Sequence, residues 1–230
     1  MIKAVLFDLY LTLIDVSRVN QEEQDKAAYN VVSKFGLKKG FEEFKDVFKK
    51  VYEKWKEFRQ KYLIEVNPRV WWQETLLKLG IPPKLKLVES ILEERHKIFL
   101  KQIKLYDDVI DVLKILNKRN ILIGIMSNCS DARYAKEELE YLGLADYVDF
   151  FISSAEYGRR KPDVNLFLNV LSSIPFTKEE IIMIGDDYKN DVEPWRRLGV
   201  KAYLLRRESG DPDENTIHTL YELNKIISIN

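Results

Sequence analysis

The sequence has little of what disulfides, metal centres built on sulfur or imidazole, and membrane anchors require. Its one cysteine, Cys129, cannot form an internal disulfide. Its two histidines, His96 and His218, stand alone without metal-ligand spacing and read as surface or packing residues. Charge of one sign is missing too. The 37 Lys and Arg balance 37 Asp and Glu, so no global field gathers nucleic acid or an anionic membrane, and neither partner is expected. Every apolar run meets a charged residue before the roughly 18 positions a membrane helix needs. Met1-Ile2-Lys3 lead directly into an apolar strand and do not resemble a signal peptide. The expected setting is a reducing one, the cytoplasm. What remains is 46% hydrophobic and 32% charged over 230 residues, enough for one large domain or for a core with a modest insertion.

Lys3 to Phe7 is a short continuous apolar run ending at Asp8, the pattern of a strand buried on both faces with a polar residue at its carboxyl end. The pattern recurs in Ile121 to Met126 before Ser127, in Phe150 to Ile152 before Ser153, and in Ile181 to Ile184 before Gly185 and Asp186. Helical stretches lie between them: Val109 to Leu116, Ala132 to Leu142, Val164 to Leu171 and Asp191 to Leu198. Strands alternating with helices predict an α/β fold, a Rossmann-like three-layer arrangement around a parallel sheet, with ligands beyond the carboxyl ends of the strands.

From 16 to 104 the periodicity is helical, so a helical unit is expected as an insertion into a core formed by 1–15 and 105–230. Phe41, Phe44, Phe48, Tyr52, Trp55 and Phe58 form one stripe, and Trp71, Trp72, Thr75, Leu76 and Leu79 another; both read as packing faces in preference to an aromatic ligand cage. Gly80 closes a helix before Pro82 and Pro83. The aromatics that stay exposed are compatible with a homodimer.

Four short motifs at the strand ends carry the chemistry. Phe7-Asp8-Leu9-Tyr10-Leu11-Thr12 is followed by Ser127-Asn128, by Arg160-Lys161-Pro162-Asp163, and by Gly185-Asp186-Asp187 with Asn190-Asp191. Singly, each suits a helix cap, a turn or a solvated lysine. In this order they resemble the motifs of the haloacid dehalogenase superfamily, subfamily I, with Tyr106-Asp107-Asp108-Val109 where the chain returns from that subfamily's helical C1-type cap. The resemblance spans almost the whole chain. It implies a hydrolase in which Asp8 is the nucleophile, forming a covalent intermediate that water then hydrolyses. Thr12 would orient Asp8, and Tyr10, Ser127, Asn128 and Lys161 would contact a small phosphorylated substrate. Mg²⁺ would be held by Asp8, the backbone carbonyl of Tyr10 and Asp186, with Asp187 or Asp191 in support.

One departure leaves the reaction open. Phosphatases of the superfamily carry a second Asp where this sequence has Tyr10, and a phenol with a pKa near 10 is a poor general base at neutral pH. The L-2-haloacid dehalogenase branch has Tyr at that place, needs no proton for its halide leaving group, and has a Ser-Asn-Gly-Ser run similar to Ser127-Asn128-Cys129-Ser130. That branch binds no metal, however, and lacks the carboxylates of Gly185-Asp186-Asp187. The Mg²⁺-dependent phosphatase is therefore the preferred expectation, with a 2-haloacid dehalogenase and a non-catalytic phosphate-binding homologue as alternatives.

Overall fold

In the computed structural model, which describes residues 1–207 and 215–229, the first strand shows why its apolar run is unbroken. Strand β1 (Ala4–Phe7) is buried at every position. Its side chains alternate between two separate clusters: Val5 and Phe7 join Ile123, Ile125, Ile182 and Ile184 on one face, while Ala4 and Leu6 join Ile181 and Met183 on the other. A strand with a core on both sides has no solvent face on which a polar residue is favourable.

Around β1 lie β4 (Leu122–Ser127), β5 (Phe150–Ser153), β6 (Ile181–Gly185), β7 (Lys201–Leu205) and β8 (Thr216–Ile217), in the order β5-β4-β1-β6-β7-β8 with every pairing parallel. Helices α5 (Val109–Lys118), α6 (Ala132–Tyr141) and α10 (Leu223–Ile229) contribute to the first cluster, and α8 (Val164–Ser173) and α9 (Glu193–Arg197) to the second. This is the expected α/β three-layer core. Two strands escape the pattern of apolar runs. In β7 Lys201 is exposed and Tyr203 half-buried, and β8 has two residues, too few for any periodicity. The helix expected over Asp191 to Leu198 is divided into a wide π turn, Tyr188–Val192, and α9, whose first turn contains Pro194 without an N–H to donate.

The chain leaves the core through β2 (Ile14–Asp15) and returns through β3 (Lys104–Leu105), which pair antiparallel as a short ribbon. Between them stand α1 (Gln21–Ser33), α2 (Phe41–Tyr62), α3 (Pro68–Lys78) and α4 (Leu85–Leu100). Asn67 caps α3 by accepting from the Arg69 N–H, Pro68 occupies its first turn, and Gly80 follows its end at φ +75°. The aromatic stripes are packing faces. Phe48 stacks on Trp72 at 4.4 Å between ring centroids, with Phe44 on the same indole at 6.3 Å, in a cluster completed by Leu76, Leu87, Val88 and Ile91. Phe58, at the end of its stripe, is exposed. Among the described residues no helix is long and apolar enough to cross a membrane.

Trp72 is 1% exposed and joins the two stripes, so Trp72→Ala should leave a large cavity at the centre of the helical unit. The expected loss is about 3–5 kcal/mol, read from the denaturant midpoint; a loss below about 1 kcal/mol would show that the aromatic faces do not hold the unit together.

Candidate active site

Strands β1, β4 and β6 are neighbours, so the residues that follow them emerge side by side. The Asp8 N–H donates to the Ile184 carbonyl (2.9 Å), extending the strand pairing by one residue and fixing where the side chain leaves the sheet. The chain then folds back tightly. The N–H groups of Leu13 and Ile14 both donate to the Leu9 carbonyl at 2.9 Å, with Leu11 at the tip in a left-handed conformation, φ +63°. For a residue with a Cβ that conformation is unfavourable by about 1–2 kcal/mol, and the two converging bonds help to hold it.

Lys161 is placed by Asn128. The Asn128 amide donates to the Lys161 carbonyl (3.1 Å) and accepts from the Lys161 N–H (2.8 Å), tying the loop before α8 to the end of β4. The lysine side chain is thereby directed inward. Its ammonium donates to Asp8 Oδ1 (2.5 Å), Asp191 Oδ1 (2.5 Å) and the Met126 carbonyl (2.9 Å), which uses all three of its N–H bonds. Gly185 makes room for this: a Cβ there would lie 2.3 Å from the Cβ of Asp191.

Carboxylate oxygens of Asp8, Asp186 and Asp191 lie within 4.8 Å of one another. Burial opposes the charge on Lys161, but Asp191 and Asp8 on either side outweigh it, and the ammonium is held above its ordinary pKa. The carboxylates fare differently. Burial pushes Asp191 up to about 7 and Asp186 up to about 6, and Asp8 is raised as well, because one shared ammonium does not compensate three crowded acids. The ammonium is the secure charge here, and the carboxylates lack a second cation. A hard divalent ion meets that deficit with the oxygen ligands it prefers, so the donor set fits Mg²⁺.

Asp187, expected to support the metal ligands directly or from outside, and Thr12, expected to orient Asp8, make contacts at the edge of this cluster. Asp187 lies outside the carboxylate cluster; its side chain caps the π turn, accepting from the N–H groups of Lys189 (2.9 Å) and Asn190 (3.1 Å), while its own N–H donates to Asp191 Oδ2 (3.1 Å). An Asp just before a helical turn satisfies the free N–H groups there more readily than it turns back into the site. Thr12, fully buried, directs its hydroxyl to Asp186 Oδ1 at 3.4 Å, not to Asp8. Ser127, at the end of β4, is 1% exposed and its Oγ has no hydrogen-bond partner among the described residues.

Tyr10 turns away from this cluster. Its hydroxyl donates to Glu138 Oε2 on α6 at 2.7 Å. Burial, and then the neighbouring Glu138, hold the phenol well above its usual pKa, so it keeps its proton; burial likewise raises Glu138 to about 7. Both line a cavity of about 910 Å³ between the helical unit and the core. Asp8 is not among the lining residues. The cavity meets the strand ends through Tyr10, Asn128 and Cys129, and burial pushes the Cys129 thiol up to about 12, which leaves it inert.

Sequence reasoning missed Glu138, whose signal was a Glu on the inner face of an otherwise amphipathic helix beside Ala135 and Leu139. It also missed the contact that seats the helical unit. Arg59 on α2 is buried, lies over the Trp71 ring at 4.8 Å and donates to Ser130 Oγ at 3.1 Å. Glu65 pairs with Arg160, the residue before Lys161, and accepts from Ser154 Oγ at 2.5 Å.

Residues 2–199 match the family model described as haloacid dehalogenase-like hydrolase. The chain is 27% identical over 207 residues to a glyceraldehyde 3-phosphate phosphatase of Methanopyrus kandleri, covering 90% of this chain and 85% of that one. Its fold is similar to the crystal structure of an HAD phosphatase from Thermococcus onnurineus (TM-score 0.69, 24% identity, 98% of both chains). It is similar also to that of a 2-haloacid dehalogenase from Pseudomonas syringae pv. Tomato (TM-score 0.73, 22% identity, 100% and 99% of the two chains).

The raised pKa of Asp186 has a consequence for stability. Below about pH 4 the group is protonated whether the chain is folded or not, and above about pH 6 it is ionised in both, so its unfavourable burial sets in as pH rises through that window. In EDTA-containing buffer, Asp186→Asn should therefore raise the melting temperature relative to the parent by more at pH 7 than at pH 4. An equal difference at the two pH values would contradict the crowded-carboxylate account.

Proposed function

The chain belongs to the haloacid dehalogenase-like hydrolases, and on that premise we propose that it is a Mg²⁺-dependent phosphatase acting on a small phosphorylated molecule in the cytoplasm. The observation that carries this reading is the trio of Asp8, Asp186 and Asp191 around the single ammonium of Lys161. A haloacid dehalogenase has no use for the two additional carboxylates, which would repel an anionic substrate. A phosphatase has a use for them as ligands. We assign Asp8, Asp186, Asp191 and the backbone carbonyl of Tyr10 to Mg²⁺, which when bound supplies positive charge against the oxygens of a phosphate. Asp187 serves the site indirectly, through its N–H on Asp191.

Asp8 attacks phosphorus, the P–O bond to the leaving group breaks, and the aspartyl phosphate so formed is hydrolysed by water to inorganic phosphate. Lys161 holds Asp8 by Oδ1 and fixes its orientation, and the open Ser127 hydroxyl donates to a phosphoryl oxygen. Asn128 acts through Lys161, whose backbone it clamps. No carboxylate occupies position 10 to protonate the leaving oxygen, because Tyr10 keeps its proton and gives its hydrogen bond to Glu138. Leaving groups that need little protonation, as in acyl and aryl phosphates, are accordingly the faster ones.

EDTA and Asp8→Asn should each abolish phosphate release from phenyl phosphate, and 2-chloropropionate should yield no chloride. Chloride release insensitive to EDTA would replace this reading with the dehalogenase one. Phosphate binding without release of either product would replace it with the non-catalytic one.

Tyr10→Asp should raise kcat for alkyl phosphates by roughly 10²-fold or more, the range general acid catalysis supplies. The gain should be much smaller for phenyl phosphate. No gain in a folded variant would show that the missing acid does not limit the rate.

A further inference from the structure

Two polar side chains of the helical unit line the cavity without satisfied hydrogen bonds. Gln24 on α1 is 7% exposed, and its amide nitrogen has no acceptor among the described residues. His96 on α4 is also 7% exposed. Its Nε2 lies 3.2 Å from Glu137 Oε2 but lacks the alignment of a hydrogen bond, and its Nδ1 is 3.7 Å from Glu138 Oε1, beyond hydrogen-bond reach. Buried amide and imidazole nitrogens left open in this way are destabilising unless something that enters the cavity supplies their partners.

The charges nearby narrow what that can be. Arg95, the half-buried cation of this wall, is paired with Asp25. Asp131 is held by Arg69 and Arg133, and Lys45, nearer the surface, by Glu42. The remaining cation of the lining, Lys49, is exposed. Among the described residues that line the cavity, no unpaired buried cation is left for a second anionic group. An amide and a neutral imidazole offer donors and acceptors together, which is what a hydroxyl group requires of its surroundings.

Resting on the phosphatase reading, we propose that Gln24 and His96 are specificity-determining residues of a leaving-group subsite that takes an uncharged, polyhydroxylated group, such as that of a sugar or polyol phosphate. The phosphate sits at Asp8 and Lys161 while the hydroxylated chain extends into the cavity under α1 and α4. The reacting bond is unchanged by these contacts. They act on binding, so their effect falls mainly on KM.

The test compares three six-carbon phosphates with the magnesium-loaded parent enzyme: sorbitol 6-phosphate, n-hexyl phosphate and 6-phosphogluconate. Phenyl phosphate reports the chemistry alone. Sorbitol 6-phosphate should show a KM at least about tenfold below that of both of the others, and Gln24→Leu should reduce that advantage about tenfold through KM for sorbitol 6-phosphate, not through its kcat. Equal KM for the sorbitol and hexyl esters, or a preference for the carboxylate-bearing ester, would overturn the subsite with the phosphatase reading intact. So would a Gln24→Leu variant whose loss lies in kcat with the sorbitol-to-hexyl KM ratio preserved. Absence of phosphate release from all four compounds, phenyl phosphate included, would instead remove the phosphatase reading and the subsite with it. The series on the parent enzyme decides the matter even where the variant does not fold.

Discussion

The site depends on one buried ammonium shared between two carboxylates. Lys161, Asp8 and Asp191 come from a loop before α8, the end of β1 and the π turn after β6, and the 2.5 Å contacts of the lysine with each acid are what bring these three segments into one place. Burying a charge without a partner is costly, so each of the three excludes arrangements in which either of the others is withdrawn. The same contacts set the electrostatic character of the pocket. One positive charge against three acids leaves a deficit of the kind that a divalent cation would offset.

Sheet order explains why residues so distant in sequence meet. β1 lies between β4 and β6, with all three running the same way, so Asp8, Ser127 and Asp186 emerge at adjacent carboxyl ends. The chain reverses its direction of winding about β1, and a crevice opens where successive connections part to opposite faces. The helical unit enters and leaves beside this crevice, through the β2–β3 ribbon immediately after the Asp8 loop. One side of the cavity is consequently made by α1, α2 and α4, elements outside the sheet that carries Asp8, Ser127 and Asp186, and the other by Tyr10, the end of β4 and α6.

The legible parts of the sequence were those in which one local rule acts alone. Unbroken apolar runs marked β1, β4 and β6 because both faces of each are covered, and polar residues at their ends marked the site. The ends of the sheet were less legible, since β7 alternates and β8 is two residues long. Among the acids of the fourth motif, sequence gives only proximity. Which carboxylate turns inward is decided by a competition that needs three dimensions: Asp187 is captured by free N–H groups of the π turn, while Asp191, one turn later, faces Lys161 across a glycine with no Cβ to obstruct it. The partner of Tyr10 was equally hidden, because Glu138 lies 128 residues away on a helix whose own pattern is ordinary.

Leu11 and Glu65 show how tightly the surrounding chain is fitted to this centre. Leu11 holds a left-handed φ of +63°, a conformation that suits Gly better than a residue with a Cβ, because the loop must reverse within a few residues for Asp8 and Thr12 to face one pocket. Here the side chain is accommodated by pointing outward, 42% exposed, and the backbone bears the strain. Glu65 does the corresponding work for the helical unit. Its N–H donates to the Gly158 carbonyl, Arg160 donates its N–H to the Leu63 carbonyl, and the Glu65 carboxylate is buried against Arg160 and Ser154, so the segment after α2 lies as a short antiparallel partner along the loop that presents Lys161. The position of the helical unit and the position of the Lys161 ammonium are therefore set by the same few bonds. The cavity wall is registered in this way to Asp8, because the loop that presents Lys161 to that carboxylate also holds the helical unit.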